Sequence, residues 1–172
     1  MLLYHGSNVI VSEPRLVPQK RFLDFGFGFY TTTNSHQAVS FAEKVFRRRK
    51  EGAQVVNVYE IHQETAFSEC SVLRFDTPDE AWLDFVSQNR AGRYAGENYD
   101  LIFGPVANDD VYTTFNLYVT GVLTKEQTLA ALKIKKVYNQ LVFSSQKSLQ
   151  YLHFIRILSK EEMEWTSKNS TR

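Results

Sequence analysis

The sequence has little of what disulfide-linked, zinc-binding or membrane-spanning proteins need. Its 172 residues include one cysteine, Cys70, which excludes an intrachain disulfide and a zinc site built from several cysteines. No run approaches the roughly 18 apolar residues of a membrane span, and no basic stretch followed by a long apolar one marks a secretory signal. His36, His62 and His153 have no partner at metal-ligand spacing, which predicts no metal. We therefore expect a cytoplasmic protein that does not enter a membrane.

An excess of charge of one sign is also missing. The chain has 20 basic and 19 acidic residues, a net charge of +1, which argues against a protein held to nucleic acid by bulk charge. The basic run 47–50 is compatible with steering an acidic acceptor or with a solvated helix end. Aromatic residues are abundant at 14%, enough to line a cleft as well as fill a core.

The pattern along the chain predicts one α+β domain over residues 1–158, followed by a charged helix or tail over residues 159–172. Strand-like and helix-like segments follow one another without a regular βαβ rhythm, which disfavours a doubly wound sheet. Alternating or apolar stretches predict strands at residues 2–5, 55–61, 100–106, 137–143 and 152–157. Capping sequences predict helices that begin after Asn34, Thr77 and Thr124, the first with Gln37 completing a capping box. Residues 108–119 fit a helix or a strand equally well.

Three segments contain residues suited to ligand binding, and each is weak alone. His5 ends a strand and precedes Gly6, which places an imidazole beside a backbone that a flat ligand can approach closely. The same pattern describes a histidine with satisfied hydrogen bonds beside a turn glycine. Residues 26–31, Gly-Phe-Gly-Phe-Tyr-Thr, lack the spacing of a dinucleotide fingerprint. Residues 137–143, Val-Tyr-Asn-Gln-Leu-Val-Phe, would pass as a core strand with one amide at Gln140.

Taken in order, these segments resemble the ADP-ribosyltransferase superfamily, in its diphtheria-toxin-like branch with the His–Tyr–Glu signature. Poly(ADP-ribose) polymerase catalytic domains show the same sequence of a His-Gly-Ser strand end, a Phe-Gly-x-Gly-x-Tyr segment and a late Tyr-Asn-Glu strand. Residues 99–109 are similar to an uncharacterised bacterial branch, whose members are often encoded beside small partner proteins, as toxins are beside antitoxins. The resemblance implies two small, mostly antiparallel sheets with flanking helices, splayed around a cleft for NAD.

The resemblance also implies a role for each matching residue. His5 would hold a hydroxyl of the adenosine ribose, and the backbone of Gly6 would offer one donor and one acceptor to the nicotinamide carboxamide. Ser7 would contact the nicotinamide ribose or neighbouring groups. Tyr30 and Phe41 would present aromatic faces to the pyridinium ring, although Phe41 alone also fits a core position on an amphipathic helix. NAD would be a substrate, with no metal required.

The sequence departs from the family at Gln140, where members that make polymer carry glutamate. Gln140 would complete the catalytic set with His5 and Tyr30, but it lacks the charge that favours the cation developing on the sugar. A second departure is Ala38, at the place of a polar residue that often faces the carboxamide. We expect transfer of a single ADP-ribose to a protein or nucleic acid, with a role as the toxin of a bacterial toxin–antitoxin pair, held by a small antitoxin, as a further hypothesis. The alternatives are a catalytically inactive module that binds NAD or ADP-ribose, and a partner-binding protein that keeps only the fold.

Overall fold

The computed structural model describes residues 1–18, 22–106, 109–133 and 138–169. These residues form an α+β fold of seven strands and seven helices, as the sequence predicted in class. The elements in chain order are β1 Leu2–Ser7, β2 Phe29–Thr32, α1 Ser35–Arg49, β3 Val55–Ile61, α2 Gln63–Glu69, β4 Val72–Arg74, α3 Glu80–Arg90, β5 Leu101–Val106, α4 Asp109–Val119, α5 Lys125–Lys133, β6 Tyr138–Phe143, α6 Gln146–Leu149, β7 Leu152–Ile157 and α7 Lys160–Lys168.

The strands form one mixed sheet in the order β4-β5-β6-β2-β1-β3-β7. Neighbouring strands are antiparallel, except that β4 and β5 are parallel. We expected two separate small sheets, but the described strands form a single sheet. The reason is one register pair between Tyr4 of β1 and Thr32 of β2, which joins the two halves of the sheet.

The two faces of the sheet have different coverings. Side chains of directly paired residues share a face, so the pairs Val142–Tyr30, Thr32–Tyr4 and Tyr4–Val58 mark one face across four strands. We call it the helix face, because α1 packs on it near Val58 and α3 packs on it near Val142. On the opposite face a second cluster includes Leu3, Tyr59, Leu141 and Phe143, with Ala66 of α2 packed against them.

Local sequence signals set several element boundaries correctly. The predicted strands 55–61 and 152–157 coincide with β3 and β7. Asn34 caps α1, since its side chain accepts a hydrogen bond from the backbone N–H of Gln37 at 3.0 Å. Thr124 and Gln127 form the expected reciprocal capping box before α5. The segment whose type the pattern left open is helical from residue 109.

Two expectations need adjustment. The first strand continues beyond residue 5 to Ser7, because β3 supplies a pairing partner for each of its residues. The third helix is capped by Asp79 rather than Thr77, since the Asp79 carboxylate accepts from the Trp82 N–H at 2.9 Å. Of the charged C-terminal segment, residues 160–168 form α7, one of the two alternatives predicted, and residues 170–172 lie outside the described residues. Met163 of α7 packs against the α1 cluster. The outer helix is thereby attached to the domain that precedes it.

Helix α1 lies unusually close to β1 at Gly6. A Cβ atom added at Gly6 would lie 2.2 Å from the Ala38 carbonyl oxygen and 2.7 Å from the Ala42 nitrogen. Both contacts are with helix backbone, which cannot rotate away as a side chain can. Glycine is therefore required at this position for helix packing alone, whatever ligand the protein binds.

We predict that Gly6→Ala lowers the free energy of unfolding by about 1–3 kcal/mol, the usual cost of overpacking a core. Urea denaturation followed by circular dichroism would measure the change. Gln54→Ala, at an exposed position just before β3, is the control and should alter stability by less than about 0.5 kcal/mol. A Gly6→Ala protein as stable as the wild type would mean that α1 moves away at no cost.

Candidate functional site

The sheet opens into a fork between β1 and β2. The two strands share the Tyr4–Thr32 pair and no further register pair in the described chain, so beyond it β1 pairs with β3 while β2 pairs with β6. The fork is bounded by residues 5–7 on one side and residues 29–30 on the other. The His5 ring spans it, because its Nδ1 lies 2.7 Å from the Tyr30 carbonyl oxygen.

The backbone of Gly6 faces into this fork. Backbone groups alternate sides along an antiparallel strand, and the Thr33 N–H donates to the Asn139 carbonyl towards β6. The backbone of Thr32 therefore points towards β1, and that of its partner Tyr4 towards β2. Gly6, two residues further along, directs its N–H and C=O the same way, where the ladder to β2 has ended. One donor and one acceptor of the buried Gly6 thus point into the fork.

The predicted catalytic side chains do not all share one face of the sheet. Tyr30 and Gln140 are on the helix face, since Gln140 pairs in register with Thr32. The His5 ring instead stacks on Phe29, with ring centroids 4.5 Å apart and planes at 29°, on the opposite face. Tyr30 and Gln140 therefore share the helix face, whereas His5 lies on the opposite face and contacts Tyr30 only at its carbonyl oxygen.

The environment of His5 keeps the imidazole neutral. Burial lowers its pKa below the usual 6.5, and the hydrogen bond to the Tyr30 carbonyl opposes that shift only in part. Because a carbonyl only accepts, the proton lies on Nδ1 and the Nε2 lone pair is left to accept a hydrogen bond. The Nε2 of His5 can therefore accept a hydrogen bond from a hydroxyl group. The ring carries no positive charge at neutral pH.

The Tyr30 hydroxyl holds the glycine-rich segment that precedes β2. It accepts from the Phe25 N–H at 3.1 Å and donates to the Gly26 carbonyl at 2.7 Å. Burial and the nearby Asp24 carboxylate raise the pKa of Tyr30 far above its usual range, so the hydroxyl stays protonated. Asp24 is itself paired with Arg90. The ring of Tyr30 is half-buried against the cluster that contains Phe25, so this residue also has a structural role.

Ser7 and Phe41 differ in accessibility. Ser7 is buried, and its Oγ accepts from the Val9 N–H at 3.3 Å, which leaves its hydroxyl proton available. Phe41 is 50% exposed, although Ala38 and Ala42 on the adjoining positions of α1 are buried against β1. The alternative interpretation of Phe41 as a core residue is therefore wrong. An aromatic face is presented on the part of α1 that packs beside Gly6.

Gln140 has a buried amide whose nitrogen lacks a partner. The residue is 4% exposed, and its Nε2 makes no hydrogen bond with the described part of the chain. An unpaired buried amide costs about 1–3 kcal/mol, and native interiors rarely keep one without a reason. An oxygen atom from a ligand or an ordered water would satisfy it.

Sequence reasoning missed a polar contact between Thr32 and Gln37. The Thr32 Oγ1 lies 2.6 Å from the Gln37 Oε1 and accepts from the Asn34 N–H at 3.1 Å. The capping box predicted at Asn34 is thus incomplete, because the Gln37 side chain turns to Thr32 and Thr32 serves the Asn34 N–H instead. The spacing of Asn34 and Gln37 was the available signal, and it indicated a helix cap rather than a site.

Other candidates do not converge on the fork. A hollow of about 600 Å³ lies between Met1, Ile61 and the start of α2, at the far end of β1. The described residues contain no group of three or more histidine, cysteine or acidic side chains placed to hold a metal, and no described helix is long and apolar enough to cross a membrane. Burial raises the pKa of Cys70, which disfavours a reactive thiolate. In the basic run 47–50, Arg47 pairs with Glu43.

Removing the Tyr30 hydroxyl should destabilise the fold. In Tyr30→Phe the Phe25 N–H and the Gly26 carbonyl lose their partner, so we expect the free energy of unfolding to fall by about 1–3 kcal/mol. Tyr99→Phe is the matched control, since within the described ranges the Tyr99 hydroxyl donates only to the exposed Glu97 carboxylate at 3.2 Å. Equal urea midpoints for the two variants would contradict the anchoring role.

The lowered pKa of His5 predicts a pH-dependent loss of stability. At pH values near and below 6.5 the unfolded chain binds more protons at this residue than the folded one, so stability falls as pH falls. Above about pH 7.5 both states are neutral and the effect is absent. We expect His5→Gln to remove this component of the slope between pH 7.5 and 5, measured by urea denaturation. His153→Gln, on the exposed edge strand β7, controls for loss of a histidine, and parallel slopes for His5→Gln and wild type would contradict the assignment.

Comparison with known proteins adds a family membership. The sequence profile of DUF3990, described as a protein of unknown function, matches residues 1–154 and so covers most of the chain. No curated protein and no solved structure matches the chain. The protein belongs to the DUF3990 family.

Proposed function

We propose that this protein is an NAD-dependent ADP-ribosyltransferase that transfers a single ADP-ribose to a macromolecule. The observation that carries the proposal is the fork, into which the backbone N–H and C=O of Gly6 point without a β2 partner in register. The single Tyr4–Thr32 pair leaves the sheet almost divided, which is consistent with the two splayed sheets of the ADP-ribosyltransferase fold. A flat carboxamide needs such a donor and acceptor with no side chain in the way.

The other residues around the fork suit the remaining parts of NAD. The neutral Nε2 of His5 would accept a hydrogen bond from a hydroxyl of the adenosine ribose. Phe41 would offer its exposed face to the pyridinium ring, a contact worth about 1 kcal/mol beyond burial. Tyr30 would contribute the accessible part of its ring, while its hydroxyl remains engaged with the backbone of the preceding segment.

In the proposed reaction an oxygen or nitrogen atom of the acceptor forms a bond to C1′ of the nicotinamide ribose. The C1′–N bond breaks, and its electron pair leaves with nicotinamide, which thereby becomes neutral. The proton that the acceptor atom carried is released to water. Positive charge develops on the sugar as this bond breaks. Gln140 can hold a ribose hydroxyl but cannot stabilise that charge as a carboxylate would, a difference typically worth 10²–10³ in rate. Without that charge, we expect slow transfer of one ADP-ribose and no growth of an ADP-ribose polymer.

The same neutral amide favours a second candidate, an inactive module that binds NAD or ADP-ribose. Gln140 supplies hydrogen-bonding capacity without charge, which is sufficient for binding and poor for catalysis. Nicotinamide release and NAD affinity, measured on the same protein, separate the two functions. The acceptor, a protein or a nucleic acid, and a small antitoxin partner both belong to the enzymatic proposal.

We predict that the wild type binds NAD and releases nicotinamide slowly, and that Gln140→Glu releases it at least tenfold faster. The glutamate would restore the charge at a position already shaped for a side chain of that length. Hydrolysis without acceptor, followed by chromatography of nicotinamide, is the measurement. Gln146→Glu, exposed in α6, is the control for an added carboxylate.

The possible outcomes separate the candidates. Binding of NAD without nicotinamide release by either protein would leave the binding module. Absence of NAD binding at millimolar concentration would reject both. Thermal melting of Gln140→Glu must accompany the assay, because a carboxylate replaces a buried amide.

A further inference from the structure

The contact between Thr32 and Gln37 fixes the direction of a glutamine amide. The Gln37 Oε1 can only accept, so the Thr32 hydroxyl donates to it across 2.6 Å. The same hydroxyl lies 3.0 Å from the Asn139 carbonyl and accepts from the Asn34 N–H, which holds it in place from β6 and from the start of α1. With its oxygen turned to Thr32, Gln37 turns its –NH₂ group away.

A second amide lies on the other side of the same threonine. Gln140 stands opposite Thr32 in the β2–β6 register, which places their Cβ atoms about 5 Å apart on the helix face. Gln140, Thr32 and Gln37 therefore form a row, here called the amide row, that runs from β6 across β2 to the first turn of α1.

The row has unused donors at both ends. The Nε2 of Gln140 is buried without a partner, and in the described chain no hydrogen bond satisfies the Nε2 of Gln37. Gln37 is half-buried and therefore accessible to a ligand. The following residue, Ala38, has its carbonyl against Gly6, so this end of the row lies beside the fork.

We propose that Gln37 and Gln140 together bind a vicinal diol, with Thr32 as the positioning residue that turns Gln37 towards it. The inference rests on the proposed function, in which the diol is the pair of hydroxyls on the nicotinamide ribose. Two amides that flank one threonine can each donate to one of two oxygens on adjacent carbons. Because the row carries no charge, it would hold the hydroxyl oxygens by hydrogen bonding alone.

The test compares NAD with an analogue whose nicotinamide ribose lacks both hydroxyls, by calorimetric titration of the purified protein. Gln37→Met keeps the length of the side chain and removes the amide. We expect it to bind NAD about tenfold more weakly, the effect of one lost hydrogen bond in a closed site. Its affinity for the dideoxy analogue should match that of the wild type, because the oxygen that Gln37 contacts is missing.

The positioning role of Thr32 has its own readout. Thr32→Val should weaken NAD binding three- to tenfold, Thr32→Ser should restore it, and Thr32→Val combined with Gln37→Met should be no weaker than Gln37→Met alone. Thr31→Val is the matched control, since the Thr31 hydroxyl likewise lies against a β6 carbonyl, donating to that of Leu141 at 2.7 Å, but is on the opposite face. Thr31→Val should leave the affinity unchanged.

Several results would overturn the inference while leaving the proposed function intact. These are wild-type NAD affinity in Gln37→Met, an equal loss for NAD and for the dideoxy analogue, or additive losses in the double variant. Wild-type protein that fails to bind NAD at millimolar concentration would instead reject the proposed function and this inference with it. Thermal melting of each variant excludes loss of folded protein as the cause.

Discussion

The close approach of α1 to β1 at Gly6 is the constraint on which the rest of the site depends. The helix backbone lies where a Cβ would be, so α1 is seated directly on the strand rather than on a layer of side chains. This contact sets the height of the first helical turn above the sheet. At that height the Gln37 side chain reaches the Thr32 hydroxyl, and Phe41 is left at the surface beside buried Ala38 and Ala42. Glycine at this position is thus explained by packing, and the direction of its backbone towards the fork follows from the register of β1 with β2.

Much of the fold could be predicted because local signals and tertiary contacts agree there. In β3 the alternation of residues between Val55 and Ile61 matches the pairing it receives on both sides. The start of α3 was predicted in the correct region but with the wrong cap. Thr77 and Asp79 can both cap a helix, and only the folded geometry shows that the Asp79 carboxylate does so. The join between the two halves of the sheet depends on a single long-range pair, and no local pattern in β1 or β2 encodes it.

The site was less predictable than the fold, for a related reason. His5, Tyr30 and Gln140 could be proposed as a set by their order, but their distribution over two faces of the sheet depends on register. A shift of one residue in β2 would have exchanged the positions of Phe29 and Tyr30. Gln37 could not be identified as a candidate binding residue from the sequence. A glutamine three residues after an N-cap has a simpler explanation, since it is typical of a capping box. Thr32 competes for the same groups at the N-terminus of α1, and that competition is visible only in three dimensions.

The unpaired amide of Gln140 links stability to the proposed chemistry. A carboxylate at this buried position would have to lose most of its hydration, and the described neighbours at the row are neutral, so its charge would be costly without a cation in the fork. An amide has a smaller penalty and can be satisfied by a hydroxyl oxygen. On the proposed function, Gln140 would then avoid the cost of a buried charge in the free state and hold a ribose hydroxyl by hydrogen bonding. The charge that accelerates departure of nicotinamide would have to come from elsewhere, and an acceptor that brings its own negative group into the fork would supply it only when transfer is about to occur.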